Sequence, residues 1–393
     1  MKKIKYPYSR PNLNKRDISV VIKTLESQYL AQGKEVKNFE NSIQKKFNVK
    51  QAIVCNSGTA ALHSLYRSIG LNNKNGLLTT PITFLATANA ARMCNAPVFF
   101  ADVDPNSGLI TPETLERAFK CINFNIKVVT VVHLGGHLCD LEGLAKVAKK
   151  YNSLLVEDAC HAIGAKYFSK RKKSSFIGSC KYSIASTFSF HAIKNVTMGE
   201  GGCVTTNNID LAEDIRLNID HGMIRKKEKM INAPENSPWY YQMKNLGWNY
   251  RANEISCALG HNQFKRIDKI LMKRSKIANY YKKYILKNKY LKLPKYYKTY
   301  NEAGWHLYQL QIDFKAFGKK KEDLINYLKK LSIGTQVHYI PLPMQPYYST
   351  YKNKSDLRGA LLFYEKTLSI PMYTELKKTC IKYIANSINN FFI

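Results

Sequence analysis

The chain has 393 residues, beyond the length at which one hydrophobic core stops growing, so two domains are expected. Its 45% apolar share, with 26 Tyr and 17 Phe, excludes a disordered chain. The formal charge of +33 raises a polyanionic partner, but the basic residues are spread along the whole sequence, and the densest groups, Lys170 to Lys173, Arg225 to Lys229 and Lys319 to Lys321, are short.

Helical spacing runs through Val20, Val21, Thr24 and Leu25, and again through Val36, Phe39, Ile43 and Phe47. Apolar strands are expected at Ala52–Cys55, Gly76–Thr79, Val98–Ala101, Val128–Val132 and Ser153–Glu157, with helices at Thr59–Ile69, Ala86–Met93, Pro112–Lys120 and Leu141–Lys150 between them. Strands spaced by helices imply a mostly parallel α/β sheet covered on both faces. Such sheets hold ligands at the carboxyl ends of their strands, where Asn56, Thr80, Asp102, His133 and Asp158 stand. Lys181 to Thr206 reads as two further strands flanking a loop around Lys194, and Leu211–Asn218 as a helix. The polar stretch from Lys226 to Pro238 reads as a long loop, the kind that more often carries function than not. A long helical run from Asn253 to Leu286 then carries the chain away from the first domain. The division is placed near residue 260, giving a large domain over 1–260 and a smaller α+β domain over 261–393. In the latter, strands are expected at Leu307–Phe314 and Gly334–Tyr339, and helices at Lys321–Leu331, Arg358–Thr367 and Leu376–Ser387.

The nine cysteines form no C-x-x-C pair, and several sit in apolar runs, as Cys55 does, which reads as reduced thiols of a cytoplasmic protein with no metal site. The N-terminus lacks the apolar stretch of a signal peptide, and no run approaches the roughly 18 apolar residues of a membrane span. Neither a membrane nor a nucleic acid is expected as partner; the positive surface would steer an anionic small molecule inward.

Two segments carry the chemistry. Leu154-Leu155-Val156-Glu157-Asp158-Ala159-Cys160-His161 delivers an acid at the end of an apolar strand, and Thr187-Phe188-Ser189-Phe190-His191-Ala192-Ile193-Lys194-Asn195 leads a lysine into the turn Gly199-Glu200-Gly201-Gly202. Together they supply what pyridoxal phosphate needs: an amine to form a Schiff base with its aldehyde, and an anion to keep its ring nitrogen protonated. Asn56-Ser57-Gly58-Thr59 joins a strand to a helix and offers a phosphate cradle, although an ordinary capped helix start reads the same way. Phe84, after Thr80-Pro81-Ile82-Thr83, could stack on a flat ring or simply pack. His161 could reach that ring or its hydroxyl, or sit hydrogen-bonded in the core. Ser189 could add a phosphate contact. Singly each is weak; phosphate cradle, stacking aromatic, anion at a strand end and lysine in a Gly-flanked loop, in this order, point to one site.

The chain resembles the nucleotide-sugar aminotransferases of the DegT/DnrJ/StrS group, within the aspartate aminotransferase superfamily of fold type I pyridoxal enzymes. The likeness runs nearly end to end, through Gln32-Gly33, Asn56 to Ala60, Thr80 to Phe84, Asp102 to Pro105, Glu157 to Ala162, Ser189 to Lys194, His221-Gly222 and Gly247-Trp248-Asn249-Tyr250-Arg251. Within the group, Tyr8-Ser9-Arg10, Pro238 to Tyr241 and Gln336-Val337-His338-Tyr339 resemble members that serve pseudaminic acid biosynthesis. The resemblance implies transfer of an amino group from L-glutamate to C4 of a UDP-linked 4-keto-6-deoxy-N-acetylhexosamine, with Lys194 and Asp158 as catalytic groups beside His161. It also implies a homodimer with shared sites, in which Asn249 reaches the phosphate of the cofactor held by the other subunit. Tyr8, the turn Gln28-Tyr29-Leu30-Ala31, His338 and Tyr339 would line the sugar-nucleotide pocket. Arg251 would meet the donor carboxylate or the diphosphate, or else be a structural arginine.

Three alternatives stand beside this reading: an aminotransferase for another keto sugar, of perosamine or bacillosamine type; a dehydratase that works without a Schiff-base lysine, against which Lys194 argues; and a cofactor-binding regulatory homologue without activity.

Overall fold

The computed structural model describes residues 4–169, 173–234, 237–294, 301–349 and 356–393. Of the basic group at Lys170 to Lys173, only Lys173 lies within them.

Seven strands form the central sheet: β1 (Gln51–Cys55), β2 (Gly76–Thr79), β3 (Val98–Phe100), β4 (Ile126–Val132), β5 (Leu154–Asp158), β6 (Ala185–Ser189) and β7 (Gly202–Thr206). Their spatial order is β1-β7-β6-β5-β4-β2-β3. β7 pairs antiparallel with both β1 and β6, and every other pairing is parallel. The sheet is therefore mixed and mostly parallel, as the alternation of strand and helix patterns implies. Because successive strand residues face opposite ways, each strand feeds two cores. Ala52, Val54, Leu78, Val129 and Leu155 join one, packed by Lys34–Phe47, Leu141–Lys150 and Glu254–Phe264. Ile53, Cys55, Leu77, Val128 and Val156 join the other, under Gly58–Ile69, Leu85–Met93 and Ile209–Asn218. Each such Val, Leu or Ile contributes about 1.5–3 kcal/mol on burial.

Helix starts follow their caps. Asn14 and Asp17 form a reciprocal capping box, Thr111 and Thr114 another ahead of Pro112, and Ser57, Asp140, Asn208 and Asn253 each accept a backbone N–H of the first turn.

A third core lies around the antiparallel sheet Leu291–Lys292, Tyr308–Ile312 and Thr367–Ile370, covered by Ile267–Tyr284, Lys321–Lys330 and Lys378–Phe391. Residue 260 lies within helix Glu254–Phe264, whose Cys257 and Phe264 belong to the first core, while the third core begins at Ile277. The N-terminal segment also reaches the third core: Tyr6 bridges Ile333 and packs against that cluster.

Two sequence expectations need correction. The helical run from Asn253 to Leu286 is two helices, broken at Arg266, which leaves helical geometry (φ −111°, ψ 16°). No proline or glycine marks the break; there the Arg266 guanidinium binds Asp17 and the Asn12 carbonyl. The strand expected at Gly334–Tyr339 makes only one bridge, Gln336 to Ser369, after which the chain turns to line a cavity. Among the described residues, no helix is long and apolar enough to cross a membrane.

Candidate active site

The carboxyl ends of the parallel strands open on a cavity of about 720 Å³. Asp158, the last residue of β5, is buried at its floor. Its Oδ2 accepts from Thr87 Oγ1 at 2.7 Å and its Oδ1 from the Cys160 N–H at 3.1 Å, so the carboxylate is held in one orientation by two donors. Thr83 supports Thr87 through a 2.8 Å hydroxyl contact. Strand alternation sends the neighbouring Glu157 to the opposite face, where it meets Ser183 and His133. Of these two acids, Asp158 alone serves the cavity.

Lys194 sits in the loop between β6 and β7. The loop is closed at its neck by Phe190 N–H to Gly201 O (2.8 Å) and Met198 N–H to Phe190 O (2.8 Å). Asn195 pins it by donating to Gly304 O at 2.6 Å, and Ser9 by donating to Ile193 O at 3.3 Å. Burial lowers the pKa of the Lys194 amine, and the nearby Cys160 and Asp158 only partly oppose that.

The helix starting at Gly58 directs its first turn at the same cavity. Ser57 caps it, its Oγ accepting from Ala60 N–H at 3.1 Å. The backbone there is tightly enclosed: a Cβ at Gly58 would stand 2.9 Å from Cβ of Ser189, and one at Gly202 only 2.2 Å from the Ser57 carbonyl oxygen. Ser57, Gly58, Thr59 and Ser189 thus converge at a helix N-terminus, which favours an anion. A cradle for phosphate, an amine and an oriented carboxylate are the features pyridoxal phosphate requires, and these residues fit it.

His161 lines the wall with its Nδ1 accepting from Gly135 N–H and its Nε2 3.2 Å from Tyr339 Oη. Burial keeps its pKa well below the ordinary histidine value, with the Lys194 charge adding to the effect. His338 touches Ser369 Oγ at 2.9 Å and packs on the Tyr8 ring, and burial brings its pKa down to about 3. Phe84 is 58% exposed, its ring centroid 6.1 Å from that of Tyr339, and it borders the cavity.

The remaining sequence candidates do not line this cavity. Gln28 and Tyr29 border a separate recess of about 920 Å³ beside Glu254 and His261. Leu30 O accepts from Glu254 N–H, and Ala31 bridges Asn253. Asn249 bridges Asp220, and its carbonyl accepts from Asn56. The Arg251 guanidinium pairs with Asp220, which also takes Arg225. Conversely, Thr87, His191, Glu200 and His306 line the cavity without having been singled out in the sequence. Thr87 lies in the first turn of helix Leu85–Met93, and no local pattern distinguishes it, because its partner Asp158 is 71 positions away. His306 enters from the segment before Tyr308–Ile312, and no local pattern distinguishes it.

Residues 11–389 match the DegT/DnrJ/EryC1/StrS aminotransferase family. The chain belongs to that family. Members are pyridoxal phosphate-dependent aminotransferases, and this protein is one of them. It is 38% identical over 381 residues to the UDP-4-amino-4,6-dideoxy-N-acetyl-beta-L-altrosamine transaminase of Campylobacter jejuni, covering 97% of this chain and 96% of that one. It is 36% identical to the spore coat polysaccharide biosynthesis protein SpsC of Bacillus subtilis, covering 94% and 92%. Among solved structures it is similar to Helicobacter pylori PseC, described as an aminotransferase involved in the biosynthesis of pseudoaminic acid, with a TM-score of 0.88, 33% identity and coverage of 98% and 99%.

Proposed function

We propose that the protein moves the amino group of L-glutamate to C4 of a UDP-linked 4-keto-6-deoxy-N-acetylhexosamine, giving UDP-4-amino-4,6-dideoxy-N-acetyl-β-L-altrosamine for pseudaminic acid synthesis. The observation that carries the chemistry is the convergence of the Lys194 amine, the Asp158 carboxylate and the helix start at Ser57 on one cavity. The choice of sugar is supported by the end-to-end identity with the Campylobacter transaminase.

Pyridoxal phosphate, when bound, supplies an electron sink for charge that develops on the amino donor's α-carbon. Lys194 would hold the cofactor through Nζ and, when free of it, would accept the donor's α-proton at that atom and pass it on to the cofactor rather than back to the donor carbon. Its lowered pKa suits this role, because a proton acceptor must be neutral part of the time. Asp158 holds the proton on the ring nitrogen, and the donors from Thr87 and Cys160 fix its carboxylate. Ser57, Gly58, Thr59 and Ser189 would hold the phosphate, Phe84 and His161 would border the ring, and Tyr8, His338 and Tyr339 would line the sugar pocket.

The active unit in this reading is a homodimer. Asn249, which lies outside its own cavity, would serve the cofactor phosphate of the other subunit; the Gln28 to Ala31 turn also stands outside its own cavity, and Arg251, paired with Asp220, fits the structural alternative. Consistent with a buried partner surface, Tyr29, Leu30, Trp239, Tyr241, Met243 and Leu246 are large apolar or aromatic side chains left exposed on the single chain. Incubating purified protein with L-glutamate and a panel of UDP- and dTDP-linked keto sugars tests the substrate. Amination at C4 of the UDP-4-keto-6-deoxy-N-acetylhexosamine is expected; preferential amination of a dTDP sugar, or at C3, contradicts the proposal.

A further inference from the structure

Gly135 occupies the left-handed region, with φ at +67°. Both of its polar backbone groups are engaged at the cavity wall. Its carbonyl accepts from the N–H groups of His306 (2.9 Å) and Leu307 (3.1 Å), and its own N–H donates to Nδ1 of His161 at 3.2 Å. A Cβ here would stand 2.6 Å from Gln309 Oε1, so a side chain is opposed by both space and backbone conformation. The His161 ring is further held by the His306 ring, whose centroid is 4.4 Å away.

A nitrogen that accepts a hydrogen bond carries no proton. The neutral ring of His161 therefore bears its single hydrogen on Nε2. The 3.2 Å contact between Nε2 and Tyr339 Oη then has one polarity: His161 donates and Tyr339 accepts. The phenolic hydrogen of Tyr339 is left without a protein acceptor among the described residues, on a side chain that lines the cavity.

We infer that the Gly135 peptide sets the direction of a three-member hydrogen-bond chain, Gly135 to His161 to Tyr339, which turns the Tyr339 hydroxyl into a fixed donor to an acceptor oxygen of the sugar. The inference rests on the keto-sugar reading of the cavity. It assigns Gly135 and His161 as positioning residues toward the substrate, in addition to any part His161 plays at the cofactor ring. Burial holds His161 well below the ordinary histidine pKa and pushes that of Tyr339 up, so the polarity persists across the neutral range. A donor in this place favours a substrate that presents a carbonyl or other acceptor oxygen over one that presents an ammonium group.

The tautomer is read directly by nitrogen NMR of the full chain labelled with ¹⁵N-histidine, with His161→Gln used to assign the signals. His161 is expected as the Nε2–H form from pH 6 to pH 8; a proton on Nδ1, or a doubly protonated ring at pH 6, overturns the inference. Function is read by separating the two half-reactions of Tyr339→Phe. With glutamate on the pyridoxal phosphate-loaded protein and keto sugar on the pyridoxamine phosphate-loaded protein, the ratio of the two rates should shift against the sugar by about five- to tenfold, as expected for loss of one neutral hydrogen bond. Equal slowing of both halves would place the hydroxyl at the cofactor instead, and no change in either rate would show that it donates to nothing in the sugar; both outcomes overturn the inference. The NMR result needs no substrate, so it decides the hydrogen-bond direction even if the proposed sugar proves wrong.

Discussion

At the scale of the residue, burial shapes the chemistry of one amine, that of Lys194. The folded-state pKa of Lys194 lies below that of the unfolded chain, so the unfolded state binds more protons between the folded pKa and the ordinary lysine value of about 10.4. Stability of the cofactor-free protein should therefore rise with pH across that window, and a charged Lys194 should cost stability at pH 7. Lys194→Met is expected to raise the melting temperature of the cofactor-free protein at pH 7 by an amount that shrinks toward pH 10; a gain that stays constant or grows with pH would refute the burial penalty. The same variant should lose multiple-turnover transamination completely. Asp158→Ala removes the oriented anion and is expected to lower kcat by roughly 10² or more, the range for a lost electrostatic stabiliser. Steady-state kinetics showing less than a fivefold loss would mean that the ring nitrogen is supported elsewhere. Both residues could be singled out in the sequence because they occur together with a candidate phosphate cradle and a strand-end aromatic, a combination that one cofactor requires. Thr87, which orients Asp158, could not be weighed in the same way, because the partnership spans 71 positions and only folding makes it.

At the scale of the element, periodicity and caps carried the reading of the large sheet. Gly76–Thr79 and Leu141–Lys150 occur in the structure with the bounds the sequence implies, because each combines an unbroken apolar pattern with a clear stop signal. The failures lie where tertiary contacts overrule local pattern. Arg266 interrupts a run with good helix formers on both sides, binding Asp17 and Asn12, both about 250 positions away. The segment Gly334 to Tyr339 alternates like a strand, yet it is drawn off the small sheet to present His338 and Tyr339 to the cavity. Close approach of elements is equally hidden from local pattern: β7 begins at Gly202 directly against the carbonyl of Ser57. Gly202→Ala should force β7 and the start of helix Gly58–Ile69 apart at a cost of about 1–3 kcal/mol, and should loosen the phosphate cradle as well. Thermal unfolding and fluorescence titration with pyridoxal phosphate check this; unchanged stability together with unchanged affinity would show that the contact can relax.

At the scale of the whole molecule, the single chain holds an incomplete set of the residues the family resemblance assigns. Asn249 and the Gln28 to Ala31 turn lie outside the cavity that contains Lys194. If sites are shared across a two-fold dimer, Lys194→Ala and Asn249→Ala are each inactive for a different reason and complement one another. Mixed dimers would carry one intact and one doubly altered site, so an equimolar, fully exchanged mixture should recover about a quarter of the native activity. No recovery after verified subunit exchange would place Asn249 outside the neighbour's site. All of this presupposes that the cofactor is joined to the lysine between β6 and β7. Borohydride reduction of the pyridoxal phosphate-loaded protein, followed by peptide mapping, addresses that link directly. A stable pyridoxyl label is expected on Lys194 alone; a label on any other lysine, or none, would contradict the proposed function.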